Sequence, residues 1–571
     1  MSTHTEPLVV QRQRKFEFPA PAPNTVGRLA DVSHQDCVHF LEQNSAPRLL
    51  WFGEDLMRAK LPAGARVIYP KPTVPGLKDR DAGIRYALAH PEGMDPLAAQ
   101  LRPGMKVTIA IDDISLPLPR MSQPDLRESM LKAVLELLAA HGVSDFHIIV
   151  ATSFHRRMSA AEIEHAVGSR IFKAFYPNQL YNFDGEDPDG MVELGVTAMG
   201  ERVRLNRRAV ESDLLIYLNI NLVSMDGGAK SVSVGLCDYP TLQAHHTPQT
   251  IAACDSYFDN RRSALTHSCN RIMEVISRHL KTFHVETVVN NAMFDPKMPF
   301  FTKNEDRWNA IDKISFNVAR YALGKLPRKQ KRKLLFAFPA FYEMIAVHAG
   351  ATHPVHDKTV EYCYAQYCVP VENQTDVAIF GVPFISPYNV NSILNPLLVR
   401  VLGLGYFFNM YRGMPVLKKN GVMILTHPLY DEFDPLHHPS YIEFFHRILP
   451  ETRDSHTIQR KYEAEFAGNA EYKHMYRTGN AYHGVHPFYM WYWGENGQNH
   501  VGKVIIVGAE DKAVADILGW DVAANMEEAL EMARSHVGRT PTITHMHIPP
   551  IQMVDVYGTP EAVGQPSRPV R

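Results

Sequence analysis

The chain has 571 residues, 45% of them hydrophobic and 21% charged, with a formal net charge of −2. That length exceeds one ordinary core and implies two or three domains. The near-neutral charge, without long blocks of one sign, excludes the electrostatic footprint of a nucleic-acid binder. The six scattered cysteines (Cys37, Cys237, Cys254, Cys269, Cys363, Cys368) include no CxxC pair, which argues against a disulfide framework or a thiolate zinc site.

In chain order, residues 1–45 show little periodicity and include three prolines, Pro19, Pro21 and Pro23, as in an extended arm. The first residues lack the apolar stretch of a signal peptide. Residues 107–111 read as a buried strand, 126–141 as a helix ended by Gly142, 146–151 as a strand, 160–172 as a helix and 214–218 as a strand. This alternation implies βαβ units around a mostly parallel sheet. A helical segment over 262–282 closes the series. The rhythm restarts with strands at 377–380, 422–425 and 504–507 and a helix over 526–536, which predicts a second α/β unit. The expected organisation is an N-terminal arm (1–45), an N-terminal α/β domain (46–285), a C-terminal α/β domain (286–556) and a loose tail (557–571), the two domains facing a central cleft.

The basic run 328–333 reads as a solvated helix end or an interdomain segment. No apolar run reaches the roughly 18 residues that span a bilayer; the best, 397–410, is interrupted by Arg400. The expected setting is cytoplasmic, with a small-molecule substrate and neither a membrane nor a nucleic acid as partner.

Three strand ends carry chemistry, and ligands of open α/β sheets sit beyond such ends. Asp112 and Asp113 follow the first strand, where two carboxylates can orient a hydroxyl or can simply form a turn with Ser115 and the prolines. His155 lies between the next strand and a helix whose start is marked by Ser159 and Glu162, spaced as a capping box. It is a candidate general base or a loop histidine bonded to backbone; with 28 histidines in the chain, one alone is weak evidence. The third end is Met225-Asp226-Gly227-Gly228-Ala229-Lys230-Ser231, followed by His245 and His246. Paired glycines let backbone approach a ligand, and Lys230 offers a cation or, when neutral, a nucleophile. The plainer reading is a glycine turn with a solvated lysine.

Taken together, strand-Asp, strand-His-Arg with a capped helix, strand-Gly-Gly-x-Lys and a downstream histidine, in this order, resemble the lactate racemase superfamily. The resemblance runs from about residue 105 to 550 and is looser in the second half. It implies a two-domain α/β fold and a nickel-pincer nucleotide cofactor, a pyridinium mononucleotide whose thio groups hold nickel. It places Lys230 at the lysine that joins the cofactor as a thioamide, with Gly227, Gly228, Ser231 and Asp113 around the cofactor. His246 falls at the histidine that completes the nickel coordination, and imidazole suits that metal. His155 falls at one of two histidine bases that take the proton of a 2-hydroxyl while hydride moves to the cofactor.

Three positions depart from the family pattern. Where its second base belongs, the chain has Asn219-Ile220-Asn221, and Asn is no base near neutral pH. His245 is the replacement candidate. Leu116 stands at the family's first-loop arginine, with Arg120 and Arg156 as candidate substitutes. Asp226 replaces a serine and adds a negative charge near the cofactor site. The expected function is therefore a cofactor-dependent racemase or epimerase of a 2-hydroxy acid or related carbinol other than lactate. The alternatives are a non-catalytic cofactor-binding homologue, or a one-base redox or elimination enzyme. The aromatic run Phe488 to Trp493 is a candidate wall for a larger substrate, or plain core.

Overall fold

The computed structural model describes residues 24–25, 37–548, 551–560 and 563. The fold is mixed α/β with two large, mostly parallel sheets. In the first, Lys106–Asp112 lies between Leu214–Asn221 and Asp145–Ala151. Leu180–Asn182 extends one side and Thr282–Val289 the other, all parallel; Met344–Gly350 adds an antiparallel edge. Every residue of Leu214–Asn221 and Thr282–Val289 is buried, as expected for strands covered on both faces. In the second sheet, Thr375–Pro383 lies between Leu417–Thr426 and Ile543–Met546. Lys503–Val507 and Asp521–Ala523 continue beyond the former and Arg66–Ile68 beyond the latter, all parallel.

The sheets are assembled across the expected boundary near residue 285 instead of on either side of it. Arg66–Ile68, from the first half, pairs with Ile543–Met546 of the second sheet, while Met344–Gly350, from the second half, closes the first sheet. The expected arm also ends earlier than residue 45, because Val38–Phe40 is an antiparallel strand on Arg66–Ile68. Most of the arm lies outside the described residues, and so does the tail apart from 557–560 and 563. Among the described residues no helix is long and apolar enough to cross a membrane.

Local signals account for several boundaries. The helix Leu126–Ala140 is capped by Asp125, whose carboxylate accepts from the Arg127 amide. Gly142, at φ +69°, follows its C-cap residue His141. Ser159 and Glu162 form the reciprocal capping box, of a kind worth about 1 kcal/mol. That helix stops at Val167 and does not run on to 172, because Gly168 turns the chain at φ +81° before a second helix begins. The basic run opens the helix Arg328–Ala337, and three of its charges meet carboxylates, while Lys329 and Lys333 are exposed. Arg332 bonds Glu54 at 2.6 Å and Glu432 at 2.6 Å, Arg328 bonds Glu432 at 2.7 Å, and Lys331 meets Asp55 at 2.6 Å.

Candidate active site

The register aligns the strand ends that matter. Asp112 is opposite Ala151, and Ile111 is opposite Leu218, so three strands of the first sheet finish at one edge. The loops carrying Asp113, His155 and the glycine pair leave from that edge.

Asp113 is buried, and its Oδ2 accepts from His155 Nδ1 at 2.7 Å. Its Oδ1 accepts from the amide and hydroxyl of Ser115 at 2.9 and 2.5 Å. Burial acts to raise the Asp113 pKa, but the His155 charge and hydrogen bond, with those from Ser115, outweigh it and hold the carboxyl below its ordinary value. An ionised carboxylate only accepts, so Nδ1 of His155 carries the proton and Nε2 is the basic nitrogen. The turn before the histidine is tight. Ser153 takes a left-handed φ of +49°, uncommon for a residue with a side chain, and the His155 amide bonds back to Thr152 at 2.8 Å. Asp112 faces away from this loop, accepting from the Ile220 amide at 2.7 Å and Asn219 Nδ2 at 2.9 Å. Burial pushes its pKa up to about 7.

Gly227 caps and Gly228 opens the helix Gly228–Gly235, with φ of +85° and +62°. The close approach that requires them comes from protein. A Cβ on Gly227 would lie 2.6 Å from Asn221 Nδ2 and 2.7 Å from Glu286, and one on Gly228 would lie 2.7 Å from the His356 ring. The fully buried Glu286 carboxylate accepts from the Gly228 amide at 2.6 Å, Asn221 at 2.9 Å, Thr359 at 2.6 Å and His356 at 3.1 Å. Burial alone would raise its pKa; His356 first, then His284 and Thr359, bring it down to about 2. The helix start is therefore already satisfied by an internal anion. Ser231 is spent likewise, its hydroxyl accepting from Asn219 at 2.8 Å. Gly227, Gly228 and Ser231, expected around a cofactor, form the support behind the site.

Lys230, in the first turn of this helix, reaches a cavity of about 650 Å³. Its Nζ donates to Met225 O at 3.1 Å and lies 3.9 Å from Asp226. Asp226 also borders the cavity, but its Oδ2 is held by the amides of Leu222 and Val223, both at 3.1 Å. Burial raises its pKa against the pull of Lys230 and those amides.

His246 lines the same cavity, stacked on Tyr489 with ring centroids 4.7 Å apart. A carbonyl only accepts, so the contact of its Nδ1 with Leu242 O at 3.1 Å leaves the lone pair on Nε2. Burial lowers its pKa to about 4 and keeps the ring neutral. His245 corrects the expectation of a second base. It is fully buried, lies off the cavity, and neither ring nitrogen has a partner. The helix Tyr239–His245 ends at this residue, so the two neighbouring rings point differently, one into core and one into the cavity.

The imidazole that does stand beside His155 is His486, from the helix His486–Tyr492, with ring centroids 5.5 Å apart. It lines the cavity, and its Nδ1 bonds Tyr441 Oη at 2.5 Å. Burial holds its pKa well below the ordinary value. Tyr489, Met490 and Trp493 of the aromatic run also line the cavity. Arg156 is no substitute for the missing arginine. It is buried off the cavity and bonded to Glu162 at 2.7 and 2.9 Å. Arg120 is exposed and also off the cavity, whereas Leu116 lines it. Among the described residues no group of three His, Cys, Asp or Glu side chains is arranged to hold a metal. A metal beside His246 would therefore have to bring most of its donors with it.

The family model of the lactate racemase N-terminal domain matches residues 52–256. The lactate racemase of Lactiplantibacillus plantarum is 26% identical over 172 residues, 29% of this chain and 38% of that protein. The lactate racemase of Thermoanaerobacterium thermosaccharolyticum is 24% identical over 173 residues, again 29% and 38%. The matched stretch thus spans less than two-fifths of either curated relative. The solved structure of the lactate racemase apoprotein from T. thermosaccharolyticum superposes with a TM-score of 0.56 at 16% identity, covering 89% of this chain and 100% of that one. A Thermotoga maritima protein gives 0.49 at 12% identity, over 84% and 98%.

Proposed function

The chain is a divergent member of the lactate racemase superfamily, and from that premise we propose that it is a nickel-pincer cofactor-dependent racemase or epimerase of a 2-hydroxy acid, or related carbinol, other than lactate. The observation that carries the reading is one cavity bordered by an Asp-oriented histidine, a lysine amine and a neutral imidazole with a free ring nitrogen: His155, Lys230 and His246.

Lys230 and His246 fit the cofactor. Lys230 offers its amine to the cavity for covalent attachment, and His246 offers Nε2 with its tautomer fixed from behind by Leu242 O, the usual arrangement for a metal-ligating histidine. When bound, the group supplies a reversible hydride acceptor. The chain's own part is proton handling and exclusion of water. His155 Nε2 takes the hydroxyl proton, while Asp113 holds the opposite nitrogen protonated and stabilises the imidazolium that forms. His486, held by Tyr441 Oη, handles the proton when the substrate lies in the other orientation. The aromatic wall from Tyr489 to Trp493 keeps the reacting end dry.

The test is protein from a host that makes the cofactor. It should carry nickel and a mass increment on Lys230. Lys230→Ala should abolish the increment, and His246→Ala should lower nickel retention. His155→Ala and His486→Ala should each stop interconversion of enantiomers while keeping the metal. Loaded wild type with neither metal nor adduct would overturn the reading.

A further inference from the structure

The cavity has two ends of different chemistry. One holds His155, Lys230, His246 and His486. The other is walled by Trp51, Phe294, Met298, Phe301 and Ala319, which belong to a separate part of the core built on Leu49, Leu56, Phe300 and Trp308. Phe294 and Phe301 stack there at 4.3 Å, and Phe301 on Trp51 at 5.8 Å. Among the described residues, the one ionisable side chain lining that end is Asp295. An apolar chamber with a lone carboxylate is a poor place for the phosphate of a mononucleotide, which needs donors and cations. The chamber is therefore left to the part of the substrate that does not react.

Access agrees. Phe338 and Phe341 line the cavity while remaining 52% and 36% exposed, so its rim is apolar too. Leu116, at the position where the family resemblance expects an arginine, removes a cation from the wall.

We infer that the substrate is an amphiphile: a 2-hydroxy acid or related carbinol bearing a long alkyl or aryl substituent on the hydroxyl-bearing carbon. Its hydroxyl lies at His155 and its hydrocarbon lies in the chamber of Trp51, Phe294 and Phe301. This deepens the reading above and rests on it for the reacting end.

Two measurements separate the inferences. Binding of 2-hydroxypropanoate, 2-hydroxyhexanoate and 2-hydroxydecanoate to the protein without cofactor is followed by calorimetry and by Trp fluorescence. Affinity should rise by up to about fourfold per methylene, with a negative heat-capacity change. Racemisation by loaded protein should show the same rise in kcat/KM. Ala319→Phe, which fills the chamber, should cost the ten-carbon acid at least tenfold and leave the three-carbon acid unchanged. Chain-length-dependent binding without racemisation would support the amphiphile and defeat the racemase assignment. Equal binding and turnover of short and long acids, or no binding of any alkyl acid, would overturn the amphiphile, and the wild-type series decides this even if Ala319→Phe does not fold.

Discussion

His155 and Asp113 form a charge-assisted pair, Nδ1 to Oδ2 at 2.7 Å, and the carboxylate is itself fixed by the Ser115 amide and hydroxyl. The two residues follow different strands of one sheet, so their meeting is set by strand register and not by local sequence. The pair leaves one imidazole nitrogen basic and aimed away from its support.

Asp113→Asn should therefore act through the tautomer. An amide at 113 can donate to Nδ1, which moves the histidine proton to Nε2 and removes the base. The expected loss is about 10²–10⁴ in kcat, with little change in KM. Steady-state kinetics of the loaded variant, with circular dichroism to show an intact fold, gives the answer. A rise in KM at constant kcat would mean that Asp113 binds substrate instead.

Gly228→Ala should be a stability lesion. The new Cβ lands 2.7 Å from the His356 ring at a φ of +62°, on the residue whose amide Glu286 uses. A left-handed non-glycine residue costs about 1–3 kcal/mol, and overpacking adds to it. Denaturant melts of Gly228→Ala beside Lys230→Ala make the contrast. The first should shift the midpoint down and the second, at a partly exposed side chain, should shift it much less.

Acid should destabilise the fold as pH falls below the free imidazole value of about 6.5. His284 and His545 are buried with pKa values lowered to about 4, and His427 is lowered to about 3, desolvation being the largest cause in each. In the unfolded chain each would titrate near ~6.5. Because the folded values are depressed, the unfolded state takes up protons first as pH falls. The contribution is whole above about 6.5 and is lost progressively as pH falls towards the folded values, at up to ~1.4 kcal/mol per unit and group. Urea midpoints at a pH of about 7.5 and one of about 5.5, on either side of the free imidazole value, should differ clearly, with the lower pH weaker. Equal midpoints would mean that these rings are already charged in the fold.

Much of the fold is legible in the sequence because its strands are continuous apolar runs and its helices carry explicit caps. Strands 107–111, 146–151 and 422–425 fall inside the observed Lys106–Asp112, Asp145–Ala151 and Leu417–Thr426, and Ser159 with Glu162 caps its helix as the spacing requires. Apolar pattern does not say which sheet a strand joins, so position in the chain puts Arg66–Ile68 and Met344–Gly350 in the wrong units, and they cross over in space. The site divides in the same way. The placement of His155 and Lys230 on one cavity follows from strand ends that sequence can locate, and His246 joins them from the end of a helix. His486 reaches it from a helix in the second half of the chain, and only tertiary packing makes it a neighbour of His155. His245 and His246 are adjacent in sequence, and only the turn at the helix end separates a core ring from a cavity ring. The glycine pair carries a correct geometric signal for the wrong object, since Glu286 and His356 are what approach it.

The pairing of Arg66–Ile68 with Ile543–Met546 has a consequence for the order in which the protein is made. Arg66 donates to Thr544 Oγ1 at 3.0 Å across 478 positions of chain. At a ribosomal rate of about 5–20 residues per second, the early strand waits roughly half a minute or longer for its partner. Throughout that interval the edges of Arg66–Ile68 and its neighbour Val38–Phe40 have no second sheet to join, so the nascent chain presents open strand edges to the cell. Yield in a host should therefore depend on holdase chaperones during elongation more than on the stability of the finished fold.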